Sequence, residues 1–315
     1  MPKKLTPIEV PVLVIIFNRP ELTKKLIARL KLYKIKNLYV FADGPREDHS
    51  GDLKKCYAVR EIIKNEIDWK CDLTLNFKEE NLGCGYGPAE AITWFFNNVP
   101  YGIILEDDIK PSYSFFPYCQ ELLERYKEEK KVMHITGLNW QNGRRRGKAD
   151  YYFSRYPGTW GWATWANKWK LFDHNVSGLQ NYIKENRIKF ITGSRSEQKY
   201  HLESFKRVQK EPDHIWDYAW IYSVFKNRGY CIWPNKSLVR NVGFGPNSTH
   251  TTSLNDERAT HKIMELEFPL KHPNNIKYND VADRHMARKY FKAKYPMDDI
   301  LNKLRSLKQK YITNI

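Results

Sequence analysis

Residues 102–108 read Gly-Ile-Ile-Leu-Glu-Asp-Asp, so three carboxylates, Glu106, Asp107 and Asp108, stand directly after a short apolar run. The run reads as a buried strand, which places the acids at a strand end. Three adjacent like charges there cost self-repulsion and desolvation unless a cation offsets them. Hard divalent cations take oxygen ligands, and a Mg2+ or Mn2+ carried by a diphosphate needs only one or two protein carboxylates. The alternative is a solvated acidic turn before Lys110-Pro111. Ligands of open α/β sheets gather at the carboxyl ends of strands, and Arg19 and Asp43 each follow another apolar run, 11–17 and 37–42.

Asp217 lies in Trp-Asp-Tyr-Ala-Trp at 216–220, early in a helical stretch, 214–228. An anion among large aromatics is partly desolvated, which raises its pKa and suits it to accept a proton. The plainer reading is a carboxylate in a helix's first turn, favoured by the macrodipole. His250, in Asn-Ser-Thr-His-Thr at 247–251, follows Gly243 and Gly245. A neutral imidazole can ligate Mn2+, a protonated one can contact a diphosphate, and a solvated loop histidine does neither. Tyr156, Trp160, Trp162, Trp165 and Trp169 read chiefly as core. Trp160, in the glycine-flanked turn 158–161, is the exception, placed to stack on a sugar. The segment 81–87, Asn-Leu-Gly-Cys-Gly-Tyr-Gly, suggests a phosphate-cradling loop but lacks a full fingerprint.

The elements that must hold these residues alternate. Strand-like runs at 11–17, 37–42, 71–77 and 102–105 are separated by helical stretches at 20–33, 51–66, 87–98 and 112–129, with Asn18 offering an N-cap to the first. That order predicts right-handed βαβ units and a mostly parallel sheet flanked by helices. A further strand-like run covers 132–138. The pattern then changes: Arg144-Arg145-Arg146 occupies a polar loop, aromatics crowd 151–172, and strand-like runs return at 230–233 and 238–242. From 244 the chain reads as loop, then as a Lys-rich end. The expected division is an α/β domain over 1–245 and, over 246–315, a covering loop and a basic C-terminal extension.

With 315 residues, 41% hydrophobic and 14% aromatic, the chain is a globular protein rather than a disordered one. No apolar run reaches the roughly 18–20 residues of a spanning helix, and the N-terminus lacks a signal-peptide apolar region. The five cysteines are odd in number and form no zinc-type pair, which fits reduced thiols in the cytoplasm. The net charge of +17 favours anionic partners. No RNP-like, zinc or helix-turn-helix signature supports nucleic acid as one of them. Ile300, Leu301, Leu304, Leu307 and Tyr311 form a helical stripe flanked by lysines. It would dock on its own domain or a partner chain, or lie peripherally on the inner face of an anionic membrane.

Read in order, 12–19 (VLVIIFNR), 42–44 (ADG), 103–108 (IILEDD), 156–162 (YPGTWGW), 216–220 (WDYAW) and 241–251 (NVGFGPNSTHT) resemble a nucleotide-sugar glycosyltransferase of the GT-A fold. The resemblance spans about 11–251 and is nearest to the animal N-acetylglucosaminyltransferase I type and to bacterial family-2-like enzymes of surface-glycan synthesis. It implies an inverting transfer from a nucleotide diphosphate sugar, a UDP-sugar, to a hydroxyl of a glycan or lipid-linked saccharide. Asp108 then ligates Mn2+ (or Mg2+), with His250 as a second metal or diphosphate contact, and Asp217 acts as base. Arg19, Asp43, Tyr86, Glu106, Asp107 and Trp160 form the donor-binding set, Asp43 accepting from uracil N3–H or ribose hydroxyls. The family's base-contacting histidine has no counterpart in 81–87, where Tyr86 or backbone groups take its place. The rival readings are a metal-dependent nucleotidyltransferase or nuclease, which requires further carboxylates converging on Asp107 and Asp108, and a basic nucleic-acid-binding protein.

Overall fold

A computed structural model describes residues 8–244 and 261–295. Strand β1 (Val12–Ile16) is buried along its whole length, as a strand covered by helices on both sheet faces must be. It is flanked by β2 (Asn37–Ala42) and β4 (Tyr101–Glu106), with β3 (Asp72–Phe77) outside β2, all parallel. Helix α1 (Pro20–Tyr33) starts on proline, whose missing N–H is no loss in a first turn. It buries Thr23, Leu26, Ile27, Leu30 and Tyr33 as one stripe and stops where Lys34 turns left-handed. Its N-cap position is Arg19, not Asn18; the Asn18 amide instead donates to Asp52 Oδ1 at 2.7 Å. That contact ties β1 to the start of α2 (Asp52–Glu66).

The eight-stranded sheet runs β3-β2-β1-β4-β8-β6-β9-β7. Its second half uses β6 (Val132–Thr136), β7 (Tyr151–Ser154), β8 (Trp162–Trp165) and β9 (Tyr230–Pro234). The α/β reading with a mostly parallel sheet therefore holds, with antiparallel pairings among the described residues of this sheet at β4-β8, β8-β6 and β9-β7. The sequence reading missed β7 and β8. Both are four residues long and buried throughout, so they carry no alternation to detect.

Two more helices cover the sheet, α3 (Gly83–Asn98) and α4 (Phe115–Arg125). A short turn, α5 (Ala166–Trp169), and α6 (Leu179–Lys184) lead to α7 (Arg195–Lys210) and α8 (Asp217–Lys226). A two-stranded ribbon pairs β5 (Ile109–Pro111) with β10 (Val239–Asn241), setting Asn241 opposite Ile109.

Residues 261–295 are not an appendage. Helix α9 (Asp280–Tyr290) packs its Asp283 beneath β7, where the carboxylate accepts from Ser154 Oγ at 2.6 Å and Arg155 Nε at 2.8 Å. Asn279 caps the helix by accepting from the Ala282 amide at 3.0 Å. Residues 245–260, which include His250 and fall within the stretch expected to supply a covering loop, and the apolar stripe near 300–311 lie outside the described residues. Among the described residues no helix is long and apolar enough to cross a membrane.

Candidate active site

The acids leave β4 as the strand reading required. Pairing of Ile15 with Glu106 puts the ends of β1 and β4 side by side, and the Asp107 amide donates to the Ile15 carbonyl at 3.0 Å. The offsetting cation is Arg19: its Nη1 donates to Asp107 Oδ1 at 3.1 Å and to Asp108 Oδ2 at 3.0 Å. Asp107 and Asp108 are both buried. Burial pushes the carboxyl pKa of all three acids up; Asp108 and Asp107 add to the rise at Glu106, while Arg19 opposes it at Asp107 and Asp108.

The β5–β10 ribbon closes this corner. The Val242 amide donates to the Asp108 carbonyl at 2.8 Å, and the Gly243 amide donates to Asn241 Oδ1 at 2.7 Å. A cavity of about 190 Å³ opens there, with Arg19, Glu106, Asp108, Asn241, Trp160 and Asp217 in its wall. Asp108 Oδ1 is buried with no close hydrogen-bond partner among the described residues, although the Asn241 side chain stands near enough to oppose the rise in the carboxyl pKa.

Among the described residues no group of three His, Cys, Asp or Glu side chains converges to hold a metal. A Mn2+ or Mg2+ that arrives with a diphosphate brings most of its own ligands, and the buried Oδ1 of Asp108 suits it.

Asp217 begins α8, and its Oδ1 accepts from the Tyr218 amide at 2.9 Å, as a first-turn carboxylate does. Aromatic packing fixes that helix start. Trp216 is buried and stacks on Trp162, with centroids 6.1 Å apart and planes at 23°. One turn on, Trp220 Nε1 donates to His134 Nδ1 at 3.1 Å, tying α8 to β6. A second cavity, about 730 Å³, adjoins the first; Thr159, Trp160, His214, Ile215 and Asp217 line both. Tyr156, Trp162, Trp165 and Trp169 are core, while Trp160 is half-buried, edge-on to Trp140 at 5.9 Å and to Phe244 at 5.6 Å.

Three expected donor contacts stand elsewhere. Both Asp43 oxygens are engaged within the protein: Oδ1 accepts from the Gly44 and Leu82 amides, Oδ2 from the Gly83 amide and Asn81 Nδ2, at 2.8–3.1 Å. Asp43 thus fastens the turn into α3. Tyr86 is exposed and stacks on His174, centroids 4.7 Å apart, outside both cavity walls. Asp107 is turned to Arg19 and is likewise absent from the wall.

In the segment 81–87, read as a phosphate cradle, three backbone amides are engaged within the protein. The amides of Leu82 and Gly83 go to Asp43, and that of Gly85 goes to the Asp213 carbonyl at 2.7 Å. A Cβ at position 85 would fall 2.2 Å from the Pro212 carbonyl oxygen. The glycine therefore lets α3 abut the loop that carries His214 and leads into Asp217. Thr159, His214 and Asn241 were missed by the sequence reading; their flanking positions to Trp160, Asp217 and Gly243 were the available signal.

No family model and no curated protein matches the chain. Among solved structures, a UDP-glucose pyrophosphorylase complexed with UDP-glucose is similar at 8% identity and a TM-score of 0.35, over 71% of this chain and 90% of that one. A likeness at that level bears on neither function nor substrate.

Proposed function

We propose that this protein is an inverting, divalent-cation-assisted glycosyltransferase that moves a sugar from a nucleotide diphosphate, a UDP-sugar, to a hydroxyl of a glycan or lipid-linked acceptor. The observation that carries the reading is the position of Asp217 in the wall common to two adjoining cavities. One holds Arg19, Glu106 and Asp108, a cation-and-carboxylate corner suited to a diphosphate. The other is broad and aromatic, suited to a saccharide. The motif order described above supplies the independent support.

In this reading the acceptor hydroxyl attacks C1 of the donor sugar from the larger cavity. The new C1–O bond forms as the bond from C1 to the diphosphate oxygen breaks, and the departing electron pair stays on the diphosphate. Asp217 takes the hydroxyl proton. A Mn2+ or Mg2+ held by Asp108 supplies Lewis-acid stabilisation of the leaving group when bound. Arg19 keeps Asp107 and Asp108 in place and adds positive charge to the corner, while Glu106 and Trp160 bound the space for the donor sugar.

The test is a thermal-shift screen of nucleotide sugars with and without Mn2+, followed by detection of hydrolysis of the best binder. Cation-dependent stabilisation by one nucleotide sugar and its slow hydrolysis are expected. Indifference to every nucleotide sugar in both conditions overturns the reading.

A further inference from the structure

Beside the larger cavity stands a cluster of basic side chains that the transfer step does not use; Lys289 lies in the cavity wall, and Arg146 lines a separate cavity. The aromatic wall of the larger cavity comprises Trp140, Trp160, Tyr200, Tyr218, Tyr290 and Phe291. Trp140 and Tyr290 touch, with centroids 4.9 Å apart, so the loop after Trp140 and the last turn of α9 form one rim. Gln141 anchors that loop to α9 by donating from Nε2 to the Ala282 carbonyl at 3.2 Å.

The rim is basic. Arg144 Nη1 donates to His285 Nδ1 at 3.1 Å, and Arg146 Nε donates to Gln141 Oε1 at 2.7 Å. Arg288 and Lys289 follow His285 by three and four residues, on the same face of the helix. Lys289 itself lines the cavity. Burial first, and then Arg144, Arg146, Lys289 and Arg288, hold the His285 imidazole below its ordinary pKa. Among the described residues neither Arg144 nor Arg146 meets a carboxylate. Arg145 is different: it is tied down by the Lys148 and Ala149 carbonyls and by Asp150. Concentrated cations beside a cavity attract an anion and hold it by charge-assisted hydrogen bonds.

We propose that the larger cavity binds an anionic saccharide, its sugar against the aromatic wall and its phosphate or carboxylate on the Arg144–Arg146–α9 rim. Within the function proposed above, on which this assignment of the acceptor rests, that saccharide is the acceptor. The same chemistry arises from the phosphate of a lipid-linked sugar or from an acidic sugar within a glycan.

Tryptophan fluorescence of the full chain reads the test, with three probes: N-acetylglucosamine 1-phosphate, a glucuronic-acid-containing disaccharide and a neutral disaccharide. At least one anionic probe should bind about tenfold more tightly than the neutral one. Tighter binding of the sugar phosphate points to the lipid-phosphate source, and tighter binding of the uronate to an acidic glycan. The doubly substituted Arg144→Gln, Arg146→Gln protein should lose that preference. A UDP titration with Mn2+, run on both proteins, should be the same in each. Equal binding of all three probes, or a preference that survives the double substitution, overturns the proposal. Loss of UDP binding in the unaltered protein instead refutes the glycosyltransferase reading and leaves an anion-selective saccharide site standing.

Discussion

A Cβ placed on Gly243 would stand 2.4 Å from Oδ2 of Asp108 and 2.7 Å from its Cβ. The backbone leaving β10 thus passes against the carboxylate that Arg19 holds. Gly243→Ala should force the two apart and break the Arg19–Asp108 pair. Overpacking of this kind costs about 1–3 kcal/mol, so the melting temperature should fall by several degrees while the fold persists. Cation-dependent nucleotide binding should fall with it, read by UDP titration with and without Mn2+. A Gly243→Ala protein that binds UDP as the parent does would show that the close approach has no bearing on the site.

Asp108→Asn tests the acid itself. The amide keeps the shape but loses the charge that pairs with Arg19 and the hard anionic oxygen that suits a divalent cation. The gain in UDP affinity that Mn2+ confers should shrink roughly tenfold or more, about 1.4 kcal/mol. Affinity measured without cation should change little. Full retention of the Mn2+ effect places the cation elsewhere.

The first half of the fold was legible because its signals are local. The apolar runs ending at Arg19, Asp43 and Glu106 became β1, β2 and β4, and α1 begins and ends where its proline and apolar stripe indicate. The second half was hidden for a physical reason. Helix α7 buries Glu197 and His201 along with Phe205 and Val208, and α9 buries Asp283 with Ala282, Met286 and Ala287, so neither shows a clean apolar stripe. Buried acids satisfied by distant partners, such as Asp283 by Ser154 and Arg155, look like surface residues in a sequence. The same blindness affected Asp43. Its strand-end position was correct, but only the structure shows four donors closing on it, one from Gly44 and three from the distant turn at 81–83.

Asp217→Asn should leave donor affinity near that of the parent and lower turnover by roughly 10²–10⁴, the range for loss of a general base. The amide oxygen can still accept from the Tyr218 amide, so the start of α8 is preserved. The measurements are UDP-sugar titration and single-turnover transfer, the latter once an acceptor has been found. Unchanged turnover, or loss of donor binding, removes Asp217 from the role of base.

A buried hydrogen bond between α8 and β6 steadies the start of α8. His134 is fully buried on β6, and Trp220 Nε1, which can only donate, fills its Nδ1. Its Nε2 therefore carries the proton and donates to the Gly158 carbonyl at 2.9 Å. Burial pushes the imidazole pKa down from 6.5 to about 3. Between those values the unfolded chain binds a proton that the folded one refuses, so stability rises with pH across this window and is lost as pH falls through it. One such group contributes a slope of up to about 1.4 kcal/mol per pH unit. Urea unfolding of the parent and of His134→Gln, measured from pH 7.5 to 4.5, isolates that slope from the carboxylates the two proteins share. The variant should be less stable at pH 7.5, because a buried donor or acceptor loses its partner at a cost of about 1–3 kcal/mol. Its stability should also fall less steeply below pH 6.5. Parallel pH curves would mean that His134 takes up its proton in the folded protein, and that its bond to Trp220 does not hold α8 as described.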